Sequence, residues 1–355
     1  MANAYVPQSL AGVAKRVETQ LVSILFGILM ISAGIALPGI AQAQFADGAE
    51  YADAKGLMAR KKWDEAVIAL RKLQRSEPDS VELTIELSKA LTYSGRREEA
   101  LSLLSHSANR LRGSSKGSLT RRGKVLSRIF LTQTTQQLYQ DGVTLTIGKK
   151  YRGARERFEK ALEQEPDNVE ILIRMGQCLL LEGDADSAVE RLKLARKLNP
   201  YEPEVRLWLG KALRDRGELP VAIEELRLAQ TQLSDSELAP AWYAEALAQS
   251  GQKASAVSLL ERDVREHPFH LLGLVTLARL RLQTGAFDKI ESRTLWDVRK
   301  NLQVAMSRID QYQGPESPIS EGELGLDLRD SKTLKAEVES LLERVESRID
   351  GTSSK

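Results

Sequence analysis

Four alanines, Ala154, Ala188, Ala222 and Ala256, stand 34 residues apart in an unbroken series, and four glycines, Gly183, Gly217, Gly251 and Gly285, keep the same step. A fixed period of this size marks a repeat array. Each period is one supersecondary unit that buries its apolar face only by stacking on its neighbours. At 355 residues, with 42% hydrophobic but only 5% aromatic side chains, the chain suits thin layers of Ala and Leu rather than a core filled with rings. The formal net charge of +2 supplies no long-range field, so no nucleic-acid partner is expected and any charge-driven binding is local. Cys178 is the single cysteine, which rules out an intramolecular disulfide and a thiolate metal cluster.

The amino terminus reads as an export signal. Lys15 and Arg16 precede an uncharged run from Leu21 to Leu37, Pro38 and Gly39 break any helix, and Ala41-Gln42-Ala43 supplies the small residues a signal peptidase requires. Cleavage after residues 1–43 gives a chain starting at Gln44, periplasmic or secreted. The alternative is an uncleaved inner-membrane anchor facing the periplasm, since the run falls only slightly short of the roughly 20 residues that span a bilayer. Only in that case does the chain meet a membrane. No cysteine follows the run, which excludes a bacterial lipoprotein anchor.

The best-kept units follow one another from Thr135. The first closes with Tyr151, Ala154, Phe158, Ala161, Leu162 and Pro166, and the next, from Val169, carries Met175-Gly176, Leu179, Gly183, Ala188, Leu192, Ala195 and Pro200. The unit from Pro203 has Leu209-Gly210, Leu213, Gly217, Ala222, Leu226 and Ala229; the unit from Glu237 has Tyr243-Ala244, Leu247, Gly251, Ala256, Leu260 and Pro268. This spacing resembles the tetratricopeptide repeat. The resemblance implies an all-α, helical-hairpin solenoid, a right-handed superhelix of six to seven repeats with a C-terminal helix. Small residues at Gly176, Gly210 and Ala244 let the first helix of a unit approach its partner. The later glycine ends that helix in a left-handed conformation, and the prolines mark the turn into the next unit.

Outside this middle the pattern loosens. Trp63, Ala66, Leu70 and Pro78 fit a unit from Asp47, and Leu87, Leu91, Gly95, Ala100 and Leu104 fit another from Val81. The unit from Leu271 opens with Leu277-Ala278, Gly285 and Phe287, but Ile290 stands where the seating alanine belongs. The expected organisation is an N-terminal pair over 44–114, a basic helical insertion over 115–134, the main array over 135–292, a degenerate helix and linker over 293–329, an amphipathic helix over 330–349 and a tail over 350–355. The insertion belongs to a stretch, Arg110 to Arg128, that holds seven lysines and arginines with no acid until Asp141. It reads either as a patch for an anionic partner or as a solvated helix burying Leu119, Leu126 and Ile129/Phe130; the absence of interleaved aromatics favours the second. In the last helix, Leu334, Val338, Leu341, Val345 and Ile349 make a stripe that caps the array or pairs with another helix.

Chemistry is sparse. His267-Pro268-Phe269-His270, with Asp263 and Glu266 nearby, has zinc-compatible ligand types, but Pro268 occupies the turn position, which predicts both rings on an exposed loop. A metal-dependent enzyme built on His267 and His270 is the weakest function class, no cofactor is expected, and Cys178 on a packing helix reads as a structural thiol.

The resemblance also assigns facings. In tetratricopeptide arrays the first helices line a concave groove, and projecting it onto this chain gives fifth positions Tyr139, Ile173, Leu207, Ala241 and Val275. It gives sixth positions Arg174, Trp208 and Trp242, and ninth positions Gln177, Lys211, Glu245 and Arg279, with Arg214 close by. Members of the family that clamp a terminal carboxylate use Lys at the fifth and Asn at the ninth position; Ile173 and Gln177 stand there instead. The expected groove is an apolar strip flanked by Trp208 and Trp242 as partner anchors, the alternative being that both indoles fill space between adjacent helices. The expected function is a non-catalytic scaffold of the bacterial envelope, serving outer-membrane or pilus assembly, polysaccharide export or wall remodelling by binding a protein partner. The rival is a glycan-binding module in which the two indoles stack on sugar rings.

Overall fold

A computed structural model describes residues 48–283, 292–312 and 331–353. The expected signal over 1–43, Gly285, Phe287 and Ile290, the part of the expected linker over 313–329 and the end of the tail lie outside the described residues. The chain divides into two units, residues 1–53, described only where the first helix starts, and residues 54–355, which hold everything below.

Helices alone make the described structure. In chain order they are α1 (Gly48–Ala59), α2 (Trp63–Ser76), α3 (Val81–Tyr93), α4 (Arg97–Arg110), α5 (Gly113–Arg128), α6 (Gln133–Ile147), α7 (Tyr151–Gln164) and α8 (Val169–Glu182). Then follow α9 (Ala185–Leu198), α10 (Pro203–Asp215), α11 (Leu219–Gln232), α12 (Leu238–Gln249), α13 (Lys253–Glu266), α14 (Leu271–Leu282), α15 (Ser292–Tyr312) and α16 (Ser331–Ser353). The pairs α3/α4, α6/α7, α8/α9, α10/α11 and α12/α13 are packed hairpins, α14 packs on α15, and from α6 onward each pair packs on the next.

The repeat has a local cause at each step. Gly95, Gly183, Gly217 and Gly251 close first helices with φ between 80 and 88°. The following amide then reaches back to the helix, as Asp184 N does to Leu179 O at 2.9 Å. Lys61 and Lys149 hold the same left-handed place without being glycine. Asn168 starts α8 by accepting from Glu170 N and Ile171 N, and Asp184 starts α9 by accepting from Ser187 N. Ala66, Ala100, Ala154, Ala188, Ala222 and Ala256 are fully buried where second helices seat.

The closest approach lies one helix earlier. A Cβ on Gly142 would stand 2.6 Å from the Phe158 ring; on Gly176 and Gly210 it would stand 2.7 and 2.6 Å from Cγ of Leu192 and Leu226. These glycines let a large side chain of the second helix rest on the backbone of the first.

The basic segment forms α5, which ends at Arg128. The sequence placed its insertion over 115–134, but Thr132 already caps α6 by accepting from Thr135 N, so the insertion is one helix and a short connector. α5 packs on α3 and α4 as the first helix of another unit would, burying Leu119, Gly123 and Leu126. It also meets α8, and α4 meets α9, so a short stack through α5 docks on the longer stack from α6. The joint is polar. The fully buried Arg97 guanidinium donates to Asp167 (2.9 Å), Glu165 (2.7 Å) and Ile129 O (2.8 Å), while Glu165 accepts from Leu131 N and Thr132 N. Burial pushes the Glu165 carboxyl up, but hydrogen bonds from Arg97, Asn168 and Leu131 N outweigh it and hold the group below the usual carboxylate range. Burial prevails at Asp167, whose carboxyl is raised despite Arg97.

At the other end α15 lies along α14 and α16 lies antiparallel to α15, as the pairs Arg299–Glu346 (3.3 Å) and Lys335–Asp310 (2.7 Å) require. The stripe Leu334, Val338, Leu341, Val345 and Ile349 is buried in the same core as Leu295, Val298, Leu302, Ala305 and Ile309 of α15.

Two glycine substitutions separate packing from helix propensity. Gly176→Ala gains helix propensity but forces its new methyl onto Leu192, and is expected to lower stability by about 1–2 kcal/mol. Gly56→Ala in α1 meets only the tip of Arg60 at 3.9 Å and is expected to raise stability by about 0.5–1 kcal/mol. Urea unfolding of both variants measures the opposite signs.

Candidate partner-binding face

The face built by α6, α8, α10, α12 and α14 carries the residues singled out from the sequence, and it is a chain of paired charges. Glu170, at the start of α8, accepts the Tyr139 hydroxyl (2.8 Å), Arg174 Nε (3.1 Å) and Arg128 Nη1 (2.9 Å). Burial and then Glu170 push the Tyr139 phenol up to about 12. Burial lowers the Arg174 guanidinium, yet Glu170, Tyr139 and Glu204 together raise it above its ordinary range. One unit on, Lys211 pairs with Asp215 and sits over the Trp242 ring, 5.8 Å from its centroid. Burial and the adjacent Arg214 lower the Lys211 ammonium below its usual value. Arg214 is shared by Asp215 and Glu245; Arg279 donates to Glu245 (2.9 Å) and to Glu337 of α16 (2.8 Å).

Buried groups without a partner on these helices include Thr276 Oγ1, Arg279 Nη2 and, nearest the middle of the row, the Gln177 amide. Arg174 Nη1 donates to Gln177 Oε1 at 2.9 Å, which fixes the orientation of the amide, and Gln177 Nε2 is then buried with no acceptor. Gln177 is only 7% exposed, so its free N–H is an unsatisfied donor inside the face.

The two tryptophans are placed differently from the sequence expectation. Trp208 and Trp242 are each 1% exposed and meet edge to face, centroids 4.9 Å apart and planes at 69°. Ile173, Leu207, Ala241 and Val275 are equally buried. The apolar strip is therefore interior to the stack, because neighbouring first helices pack closely enough to cover it. The indoles fill space between α10 and α12 and present no ring face on which a sugar could stack. What reaches the surface is the partly exposed set Tyr139, Arg174, Asp215, Glu245 and Arg279. The sequence reading passed over Glu170, Glu204 and Asp215, although the same register holds them at the second and thirteenth positions.

The histidine pair also departs from expectation. His267 is partly covered, and His270 is buried, its Nδ1 3.2 Å from Asp263 Oδ1, with the two rings stacked at 4.4 Å. Asp263 takes a place that is alanine at Ala161, Ala195 and Ala229, and Gly273 makes room for it, since a Cβ there would stand 2.8 Å from Asp263 Oδ2. The ring turns inward because this carboxylate needs a donor. Among the described residues no three His, Cys, Asp or Glu side chains are grouped to hold a metal ion. Cys178 is buried, its Sγ donating to Tyr151 O at 3.3 Å; burial, then Glu182, push the thiol up to about 11, which suits packing and not nucleophilic attack.

Two tetratricopeptide-repeat family profiles match the chain, over residues 146–197 and 182–237. Residues 146–237 carry tetratricopeptide repeats. No curated protein sequence matches it. Solved structures similar to it include a tetratricopeptide repeat protein from Parabacteroides merdae, 13% identical, covering 84% of this chain and 97% of its own with a TM-score of 0.44. The type IV pilus biogenesis factor PilW is 16% identical over 62% of this chain and 99% of its own, TM-score 0.44. A MamA protein is 20% identical over 53% and 98%, TM-score 0.40. Scores this low carry no argument across to this chain. Within the tetratricopeptide register, Ile173 and Gln177 replace the Lys and Asn of the carboxylate clamp, and the buried Ile173 offers nothing to a terminal carboxylate.

Because Trp208 is a core side chain, Trp208→Ala is expected to cost about 3–5 kcal/mol of stability. Thermal and urea unfolding measure it. An unchanged melting profile would mean that the indole lies free on the face.

Proposed function

We propose that the chain is an exported, non-catalytic adaptor of the bacterial cell envelope that holds a segment of a partner protein on the face of its first helices. The observation that carries this reading is the buried, unmet Gln177 amide at the centre of a polar row. A buried donor without an acceptor costs about 1–3 kcal/mol, and a carbonyl from an extended partner segment would satisfy it. Tetratricopeptide arrays serve as protein-interaction scaffolds, and the row Tyr139, Arg174, Gln177, Lys211, Asp215, Glu245 and Arg279 offers donors and acceptors along several units. The export side of the proposal rests on the sequence from Lys15 to Ala43.

The test places a photo-crosslinking residue at Arg174, at Asp215 and, as a control, at the exposed Arg157 of α7 in living cells. Adducts of one size are expected from the first two and not from the third. Gln177→Leu is expected to cut the yield about tenfold; it removes the unmet donor together with the acceptor of Arg174 Nη1, and the fold is expected to stay intact because Arg174 keeps its pair with Glu170. Adducts from all three sites alike, or a yield indifferent to Gln177→Leu, would sink the reading. N-terminal sequencing of the chain from the same cells is expected to begin at Gln44; retention of residues 1–43 would favour the anchored form.

A further inference from the structure

α5 contains no acidic residue, and its outward stripe, Gly117, Arg121, Lys124 and Arg128, divides into two halves of different character. The C-terminal half is already occupied by carboxylates of the longer stack. Arg128 reaches Glu170 (2.9 Å), Glu202 (3.1 Å) and Glu204 (2.6 Å), and Lys124 stands 3.5 Å from Glu202. The other half has none. Among the described residues no carboxylate pairs with Arg112, Lys116, Arg121 or Arg122: Arg121 donates to the Ser118 hydroxyl, Lys116 lies over the Tyr201 ring, and Arg122 Nε is buried without a partner. Gly113, Ser114, Gly117 and Ser118 keep the surface between these cations low, so a chain can lie against the helix.

We propose that the stretch from Arg112 to Arg122, which enters α5 from its N-cap, docks an acidic, carboxylate-rich segment of a partner protein, a surface separate from the first-helix face. The same helix shows what it is built to hold, since Arg128 gathers three carboxylates within one turn's reach. Guanidinium forks match carboxylate geometry, and three of the four unpaired cations are arginines. A lipid surface is a poorer occupant. Among the large apolar side chains of α5 only Val125 is exposed, so there is nothing to insert among acyl chains. Single-stranded nucleic acid needs stacking rings, and the Tyr201 ring beside α5 is covered by Lys116.

The test measures fluorescence anisotropy of a labelled oligoglutamate peptide with the full chain. The expected result is binding that weakens as salt rises, and that falls about tenfold in Lys116→Gln/Arg121→Gln/Arg122→Gln. A control that removes the same charge from α7, Arg152→Gln/Arg157→Gln/Lys160→Gln, is expected to change it less than about twofold. Arg112→Gln/Arg121→Gln alters two exposed side chains alone and guards against misfolding; it is expected to weaken binding in the same direction. Equal losses in the α5 and α7 variants would overturn the proposal. So would tighter binding of phosphatidylglycerol–phosphatidylcholine vesicles or of a single-stranded oligonucleotide than of the peptide.

Discussion

The structure depends on one repeated contact, the seating of a large side chain of each second helix on a bare patch of the first helix's backbone. At Gly142, Gly176 and Gly210 the space a Cβ would need is already taken by Phe158, Leu192 and Leu226, and at the next step Ala244 and Leu260 make the nearest equivalent. This contact brings the two helix axes of a hairpin close together. Close axes in turn allow only alanine at the buried seats Ala154, Ala188, Ala222 and Ala256. The layers are thin, so a side chain as large as Trp208 fits only where a neighbouring layer offers a matching ring, and Trp242 is that ring. Packing in such a stack is settled between neighbours.

Nearest-neighbour stacking leaves each end with an uncovered apolar face, and the chain closes two of its ends with single helices. α5 covers α3 and α4; α16 covers α15 and returns Glu337 to Arg279. The first of these helices creates a joint as well, where Arg97 is buried among Glu165, Asp167 and Ile129 O. A buried ion pair adds little net stability, since desolvation offsets most of its attraction, but losing one partner leaves a charge stranded in the interior. The joint therefore fixes how the short stack meets the long one more than it strengthens the contact.

The period was legible in the sequence because the seating contact tolerates so few residue types. The facing of side chains was legible only in part. A register states on which side of a helix a residue lies, but not how deep the neighbouring helix leaves it, and Trp208 and Trp242 were misjudged for that reason. His270 was misplaced because Pro268 marks a turn while the inward pull of Asp263, a substitution for alanine, is a tertiary effect. Arg97 left no signal at all. Its partners lie 68 and 70 residues away, across the insertion that breaks the register.

The first-helix face and α5 differ in the kind of binding their charges permit. On the face, Arg174 is matched by Glu170, Lys211 by Asp215, Arg214 by Glu245, and Arg279 by Glu245 and Glu337. Any charged partner group must displace one of these internal partners, so an ion pair formed there replaces an ion pair lost. Net attraction is small, and discrimination has to come from geometry and from unmet groups such as the Gln177 amide. The stretch from Arg112 to Arg122 needs no such exchange, because its cations have no carboxylates to give up. A face that selects without attracting and a helix that attracts without much shape would together let one scaffold capture a partner quickly and then hold only the segment that fits.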